Sequence, residues 1–135
     1  YSRAAENLLL ATAMQESKLT YLRQIGGGPG RGVYQCEPAT HKDILENYLF
    51  YRKPLAGRVG MLASGISTID RDLDLEGNLF YATAIYRIHY LRVRAPRPAE
   101  DDGIGMASYW KHYYNTPKGK GTINQFYMNF KKCSE

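Results

Sequence analysis

Residues 8–14 form the longest apolar run of the 135-residue chain, and the run leads almost directly to a carboxylate, Glu16. The surrounding segment 3–15 is rich in alanine and leucine and contains neither proline nor glycine, so it predicts a helix that is buried on most sides. Residues 25–32 (IGGGPGRG) then hold five glycines and a proline, which permit tight turns but no regular element. A buried helix that leads to an acid is therefore followed by a glycine-rich loop.

The rest of the chain predicts a mainly α (α+β) fold with one short β element after the first core helix. Val33 to Cys36 is strand-like, and Pro38 suits the first turn of a helix that continues to Arg52, until Pro54 ends it. Two irregular segments are predicted next, a loose stretch at 54–68 and an acidic stretch at 69–76. Helices are predicted from about Asn78 to Arg94, at 103–115 and at 123–133. The linker at 95–103 supplies Asp101 or Asp102 as the cap of the helix 103–115.

Size and charge limit the classes of function. At 15.4 kDa the chain predicts a single domain, residues 1–135, and because residue 1 is Tyr we expect it to come from a longer protein. A net charge of +5 favours polyanionic partners such as nucleic acid, anionic lipid or the bacterial cell wall. The apolar run is far shorter than the ~18–20 residues of a membrane span, so we expect no membrane insertion.

Glu16 has the surroundings of a general acid. At the end of a helix, a carboxylate meets the negative end of the helix dipole, and apolar neighbours remove water from it. Both effects raise the pKa of a carboxyl group towards neutrality. A carboxylic acid that keeps its proton near working pH can protonate a departing glycosidic oxygen.

Three motifs in order resemble the lysozyme-like superfamily, most closely soluble lytic transglycosylases and goose-type lysozymes. In those families a catalytic Glu followed by Ser ends the first core helix, as Glu16-Ser17 does here. A strand of the G-L-M-Q type corresponds to 32–35 (GVYQ), and a proline-threonine helix start corresponds to 38–40 (PAT). The resemblance is best over 11–41. After residue 95, SYWKHYYNT resembles lysozyme-like domains of bacteriophage virion or lysis proteins.

The resemblance implies an enzyme that cleaves the β-1,4 bond between N-acetylmuramic acid and N-acetylglucosamine in peptidoglycan, with Glu16 as general acid and base. Its implied glycan-binding residues are Ser17, Tyr34, Gln35 and Tyr86. Tyr86 matches the A-Y-N-A-G segment of the family only in part, since Arg87 follows it instead of Asn. The implied partner is the glycan strand, and the implied location is a phage virion or the host cell, acting on the wall in the periplasm.

A second carboxylate would indicate hydrolysis, because most glycosidases pair two. The candidates are Glu37, Asp43 and an acidic cluster that is otherwise typical of a solvated loop and helix cap: Asp70, Asp72, Asp74 and Glu76. None stands out. Since lytic transglycosylases need a single acid, the sequence slightly favours that reaction over hydrolysis by a lysozyme.

Other chemistries lack their motifs. His41, His89 and His112 have no metal-ligand spacing, so we expect no metal, and His89 is predicted to be a packed or capped side chain. Ser17 lacks a nucleophile elbow, and the glycine loop has neither the spacing nor the preceding strand of a dinucleotide site. We expect no cofactor. Whether Cys36 and Cys133 pair is left open.

Three alternatives remain at this point. One is a non-catalytic structural or binding module of a phage particle on a lysozyme-like scaffold, because a fold does not guarantee its chemistry. Another is a basic helical domain that binds nucleic acid through its tyrosines and arginines, although we expect no nucleic-acid partner. The third is action on chitin or chitosan, since the same acid would serve any amino-sugar polymer. The sequence leaves the product type and the oligomeric state open.

Overall fold

The computed structural model describes residues 1–20, 22–65, 68–116 and 118–134, with side chains for all of these except 68–70. In that part of the chain the protein is mainly α-helical, as predicted, and a 3₁₀ turn at Leu49–Tyr51 separates the second and third helices. The helices are α1 (Arg3–Ser17), α2 (Pro38–Asn47), α3 (Lys53–Gly60), α4 (Thr68–Gly77), α5 (Leu79–Leu91), α6 (Gly103–Tyr113) and α7 (Ile123–Ser134). Among the helices described, none is both long enough and apolar enough to span a membrane.

Helix α1 is the predicted buried helix. It packs against α5, α6 and α7, and seven of its fifteen side chains are buried, although Leu10 is 38% exposed. The Ser2 hydroxyl caps its first turn by accepting a hydrogen bond from the Ala5 N–H. Its last turn closes when Lys18 adopts a left-handed conformation with φ of 54°. Glu16 therefore lies in the last turn of the helix, as predicted.

The predicted strand at 33–36 is wrong. Arg31 and Cys36 exchange two backbone hydrogen bonds of 2.8 and 2.9 Å as an isolated antiparallel bridge, and residues 32–35 form the turn between them. Gly32 and Gln35 have φ angles of 70° and 51°, and this left-handed backbone cannot continue an extended strand. The β element after α1 consists of such bridges in the described residues.

The second helix is shorter than predicted. It ends at Asn47, and Pro54 does not end a helix but lies in the first turn of α3, where a missing N–H costs nothing. The segment predicted as loose, 54–68, therefore begins with a helix. The prediction treated the proline as a stop signal and missed its equal preference for a helix start.

The acidic stretch 69–76 was predicted to be irregular, but it is helical as part of α4. Leu75 is buried, and the buried Asp74 carboxylate accepts a hydrogen bond of 2.7 Å from the Ser64 N–H. One apolar position and one satisfied carboxylate on the inner face are sufficient to hold the helix against the core. Asp70 has no described side chain, so its candidacy as a second carboxylate lies outside the described part.

The C-terminal half follows its prediction closely. Helices α5, α6 and α7 all begin and end within three residues of their predicted bounds. Asn78 and Asp102 cap α5 and α6 by accepting hydrogen bonds from backbone N–H groups three residues ahead. Trp110 of α6 stacks on Phe126 of α7 with ring centroids 4.9 Å apart, which joins the last two helices.

His41 is fully buried and serves as a structural connection between helices. Its Nδ1 lies 2.5 Å from an Asp72 oxygen on α4, and its Nε2 lies 2.7 Å from the Tyr81 hydroxyl on α5. Both ring nitrogens thus have partners within the protein, and His41 joins α2 to its neighbours. Groups of three or more potential metal-binding side chains are not found among the described residues.

The cysteines do not form a disulfide. Both thiols are free, Cys36 in the core and Cys133 partly buried on α7. Burial raises the pKa of the Cys36 thiol to about 11, so this side chain is an uncharged apolar filler at neutral pH. The sequence left open whether Cys36 and Cys133 form a disulfide, and in this structure they do not.

Candidate active site

Among the described residues, the Glu16 side chain at the end of α1 has one hydrogen-bond partner. Its Oε1 accepts a hydrogen bond of 3.2 Å from the indole Nε1 of Trp110. Burial raises the pKa of Glu16 to about 7 from an ordinary value of 4.5, and the Trp110 hydrogen bond opposes this by favouring the charged form. Glu16 has no cationic partner among the described side chains. The site therefore retains a proton near neutrality through removal of water.

Trp110 is a rigid support for this acid. Its ring is 1% exposed, and besides its stack on Phe126 it lies against Gly121, where a Cβ atom would come within 2.4 Å of the ring. The indole can be displaced only if α6, α7 and this glycine contact all move. The position of the Glu16 carboxyl group is thus fixed by packing that the sequence does not reveal.

A cavity of about 200 Å³ opens in front of Glu16. It is formed where the end of α1, the glycine-rich loop, the start of α2, α5 and the end of α6 meet. Its lining residues are Glu16, Gln35, Glu37, Thr40, Tyr86, His89, Tyr114 and Asn115. Three of the five residues predicted for the site therefore face one space. A larger cavity of about 780 Å³ near Tyr109 and Tyr113 has no carboxylate in its lining and does not include Glu16.

Gln35 faces this cavity because the turn before it is tightly held. Its Nε2 donates a hydrogen bond of 2.9 Å to the Gly32 carbonyl oxygen. Gly32 in turn lies so close to α4 that a Cβ atom would come within 1.7 Å of the Leu75 carbonyl oxygen. Arg23 and Arg31 add ion pairs of 3.2 and 3.3 Å to Glu76. The glycine-rich loop is thus fixed on α4 and presents Gln35 opposite Glu16.

Ser17 does not line the cavity, contrary to its predicted role in substrate binding. Its hydroxyl is 1% exposed and hydrogen-bonds with the carbonyl oxygens of Val33, at 2.7 Å, and Ala13, at 3.1 Å. A side chain enclosed in this way cannot touch a sugar. Ser17 instead joins the end of α1 to the loop that carries Gln35, so it positions the site.

Tyr34 also has a structural role instead of the predicted contact with glycan. Its ring is buried and stacks on Tyr86 at 4.9 Å, and its hydroxyl lies 3.1 Å from the Thr83 hydroxyl. Its backbone carbonyl accepts a hydrogen bond from the Tyr114 hydroxyl. Tyr34 borders a different cavity, beside the N-terminal part of α1. The ring supports Tyr86, which forms a wall of the Glu16 cavity.

His89 lies in the cavity wall, although it was predicted only as a packed side chain. Its ring packs against Tyr86, Tyr90 and Tyr114, and its Nδ1 faces an Arg92 nitrogen at 3.2 Å. Burial, followed by the charge of Arg92, lowers the pKa of His89 to about 4. His89 is therefore uncharged at neutral pH, and since a guanidinium only donates, the Nδ1 atom must accept.

Sequence reasoning missed Thr40, Tyr114 and Asn115 as cavity residues. Thr40 was quoted only as part of a helix start, and Tyr114 and Asn115 only as part of the segment SYWKHYYNT. Nothing in the local pattern of α6 could show that its end returns to the end of α1. Glu37, one of several candidates for a second carboxylate, does line the cavity, whereas Asp43 pairs with Arg92 at 2.6 Å.

Neither protein-family models, nor curated proteins, nor solved structures match this chain. Its candidate site is therefore described by its own geometry alone. That geometry is a proton-retaining carboxyl group in a small cavity whose other walls are amides, a second carboxylate and aromatic rings.

Proposed function

We propose that this protein is a peptidoglycan-degrading glycosidase on a lysozyme-like scaffold, which cleaves the β-1,4 bond between N-acetylmuramic acid and N-acetylglucosamine. The observation that supports this best is the cavity shared by Glu16 and Gln35, in which the pKa of Glu16 is about 7. A carboxyl group with that pKa is present in both forms near neutrality. It can therefore give a proton to a leaving oxygen and later accept one.

The favoured reaction is that of a lytic transglycosylase. Glu16 protonates the glycosidic oxygen as its bond to C1 of the muramic acid breaks, and the N-acetylglucosamine side leaves with a free hydroxyl. The Glu16 carboxylate then takes the proton from the C6 hydroxyl of the same muramic acid while that oxygen bonds to C1. The product is a 1,6-anhydro end, and no water is consumed. This course needs one acid, and Glu16, whose pKa burial raises to about 7, supplies it.

Hydrolysis is a second candidate because Glu37 borders the same cavity. It lies at the start of α2, exposed and without a hydrogen bond that caps the helix. An unengaged carboxylate beside a general acid could hold the attacking water, as the second carboxylate of a glycosidase does. The two reactions differ in product and in their need for Glu37.

The cavity and the net charge agree with a long anionic polymer as partner. At about 200 Å³ the cavity is smaller than the ~300–1,000 Å³ usual for ligand pockets, so the reacting ring alone would enter and the strand would lie outside. A net charge of +5 would attract a bacterial wall, less so at high salt. We accordingly propose action on the cell wall, from a phage virion or within the host.

Mass spectrometry of digested peptidoglycan separates these possibilities. We expect muropeptides with anhydro ends, whereas reducing ends would mean hydrolysis and an absence of fragments would mean a non-catalytic module.

Glu37→Gln tests the hydrolytic alternative. We expect this variant to retain cleavage within about threefold, because the favoured course makes no use of Glu37. A loss of about a hundredfold or more, together with reducing ends, would instead establish Glu37 as a catalytic partner.

A further inference from the structure

Asn115 lies two residues after the end of α6 and lines the same cavity as Glu16. Its backbone N–H donates a hydrogen bond of 2.9 Å to the carbonyl oxygen of Trp110. The indole of that same tryptophan holds Glu16. Asn115 and the acid are therefore positioned by one buried residue.

The orientation of the Asn115 side-chain amide is fixed by its neighbours. Its Oδ1 accepts hydrogen bonds from the Thr116 N–H, at 2.6 Å, and from the Lys111 ammonium group, at 3.4 Å. Both partners can only donate, so the atom that faces them must be the oxygen. The NH₂ group consequently occupies the other position. It lies beside Gly121, where a Cβ atom would come within 3.1 Å of it, and it has no acceptor within the described part of the chain.

Lys111 makes this arrangement rigid. Its Nζ also donates to the carbonyl oxygens of Gly119, at 2.8 Å, and Gly121, at 2.6 Å. Three acceptors thus surround one ammonium group at the end of α6. Because Lys111 is held in this way, the Asn115 amide keeps its orientation, and its NH₂ group is a donor prepared before any ligand arrives.

Gln35 provides the opposite polarity in the same cavity. Its Nε2 is engaged by the Gly32 carbonyl oxygen at 2.9 Å, which leaves its Oε1 as a hydrogen-bond acceptor. Oε1 lies beside Gly30, where a Cβ atom would come within 2.7 Å of it. The cavity of Glu16 therefore combines one free amide donor and one free amide acceptor, which is the complement of another amide group.

We propose that Asn115 is a specificity-determining residue that recognises an acetamido group on the sugar. Its Nδ2 donates to the acetamido carbonyl oxygen, and the Oε1 of Gln35 accepts from the acetamido N–H. A sugar with a free amine offers no carbonyl to Asn115, so the site discriminates against it. This assignment depends on the proposed function, since it requires an amino-sugar polymer as the ligand.

The test measures binding by calorimetry to a Glu16→Gln protein, which cannot turn over its ligand. The probes are the tetramer of N-acetylglucosamine and its fully deacetylated counterpart. We expect at least tenfold tighter binding of the acetylated tetramer. Asn115→Asp, added to this background, keeps the oxygen that Lys111 and Thr116 need but replaces the donor by an acceptor. We expect it to weaken binding of the acetylated tetramer at least tenfold and to abolish the preference.

Asn124→Asp is the matched control, because it makes the same change at an exposed position on α7 and should leave both affinities unaltered. A preference below twofold in the Glu16→Gln protein would overturn the assignment even if the Asn115 variant did not fold. If the folded Asn115→Asp variant binds the acetylated tetramer as tightly as the Glu16→Gln protein does, the assignment is also overturned, and digestion of peptidoglycan by the unmutated chain would then support the proposed function alone. If Asn115→Asp weakens binding but the unmutated chain does not digest peptidoglycan, the recognition of the acetamido group stands and the proposed function fails.

Discussion

Glu16→Gln is expected to abolish the clearing of bacterial wall suspensions while the protein remains folded. The amide keeps the shape of the side chain and can still accept the Trp110 hydrogen bond, but it cannot donate a proton to a glycosidic oxygen. Loss of a general acid costs about 10²–10⁴-fold in rate, so turbidity should stay constant over the time in which the unmutated chain clears the suspension. Near-normal lysis by this variant would refute the assignment of Glu16.

The same variant should be more stable than the unmutated chain above pH 7. The pKa of Glu16 is about 7 in the folded protein and 4.5 in an ordinary setting, so the folded state binds the proton more tightly. The contribution of Glu16 to stability is therefore highest below pH 4.5, falls as the pH rises through this interval, and levels off above 7. Glu16→Gln removes this loss, which we expect to be on the order of 3 kcal/mol at pH 8 in urea unfolding.

Glu46→Gln is the matched control for both effects. Glu46 is exposed on α2 and contacts Lys42 only at 4.0 Å, so its neutralisation should change neither lysis nor the pH dependence of unfolding. An equal gain in stability from both substitutions would mean that the whole charge of the protein, and not the burial of Glu16, sets the pH dependence.

Gly32→Ala is expected to damage both the fold and the activity. With a φ of 70° an alanine is already strained, and its Cβ would lie 1.7 Å from the Leu75 carbonyl oxygen, so the loop must move away from α4. We expect a loss of about 2–4 kcal/mol in the free energy of unfolding. We also expect at least about a tenfold loss of lysis under conditions where the protein is folded, because displacement of Gln35 misplaces the substrate.

Gly26→Ala separates the effect of the close contact with Leu75 from the backbone strain of an alanine at positive φ. Gly26 lies in the same loop with a φ of 87°, but apart from its two chain neighbours no described residue has an atom within 4 Å of the position its Cβ would take. The change should cost only about 1–2 kcal/mol and leave lysis largely intact. If Gly32→Ala were no more harmful than Gly26→Ala, the close approach to Leu75 would have no role in positioning the loop.

The fold could be predicted where local patterns act alone. Apolar periodicity and side-chain caps identified α1, α5, α6 and α7, because those signals lie within the helices themselves. Prediction failed where distant contacts decide the backbone. Residues 32–35 turn because Gly32 must approach α4, and α4 is helical because Leu75 and Asp74 face the core.

The candidate site divides in the same way. Glu16, Gln35 and Tyr86, which the family resemblance grouped as site residues, line one cavity. Ser17 and Tyr34 proved to be supports, because whether a residue beside a loop faces a cavity depends on packing. Trp110 and Asn115 were not found at all as site residues, since only the chain's return after α6 brings them to Glu16.

A titration of the Glu16 side-chain carboxyl carbon by NMR tests the central claim most directly. Comparison with the Glu16→Gln protein assigns the signal among the seven glutamates of the chain. Burial beside Trp110 predicts a midpoint at about pH 7. A midpoint near the ordinary value of 4.5 would mean that this carboxyl group is already ionised at neutral pH, and the proposed acid catalysis would be contradicted.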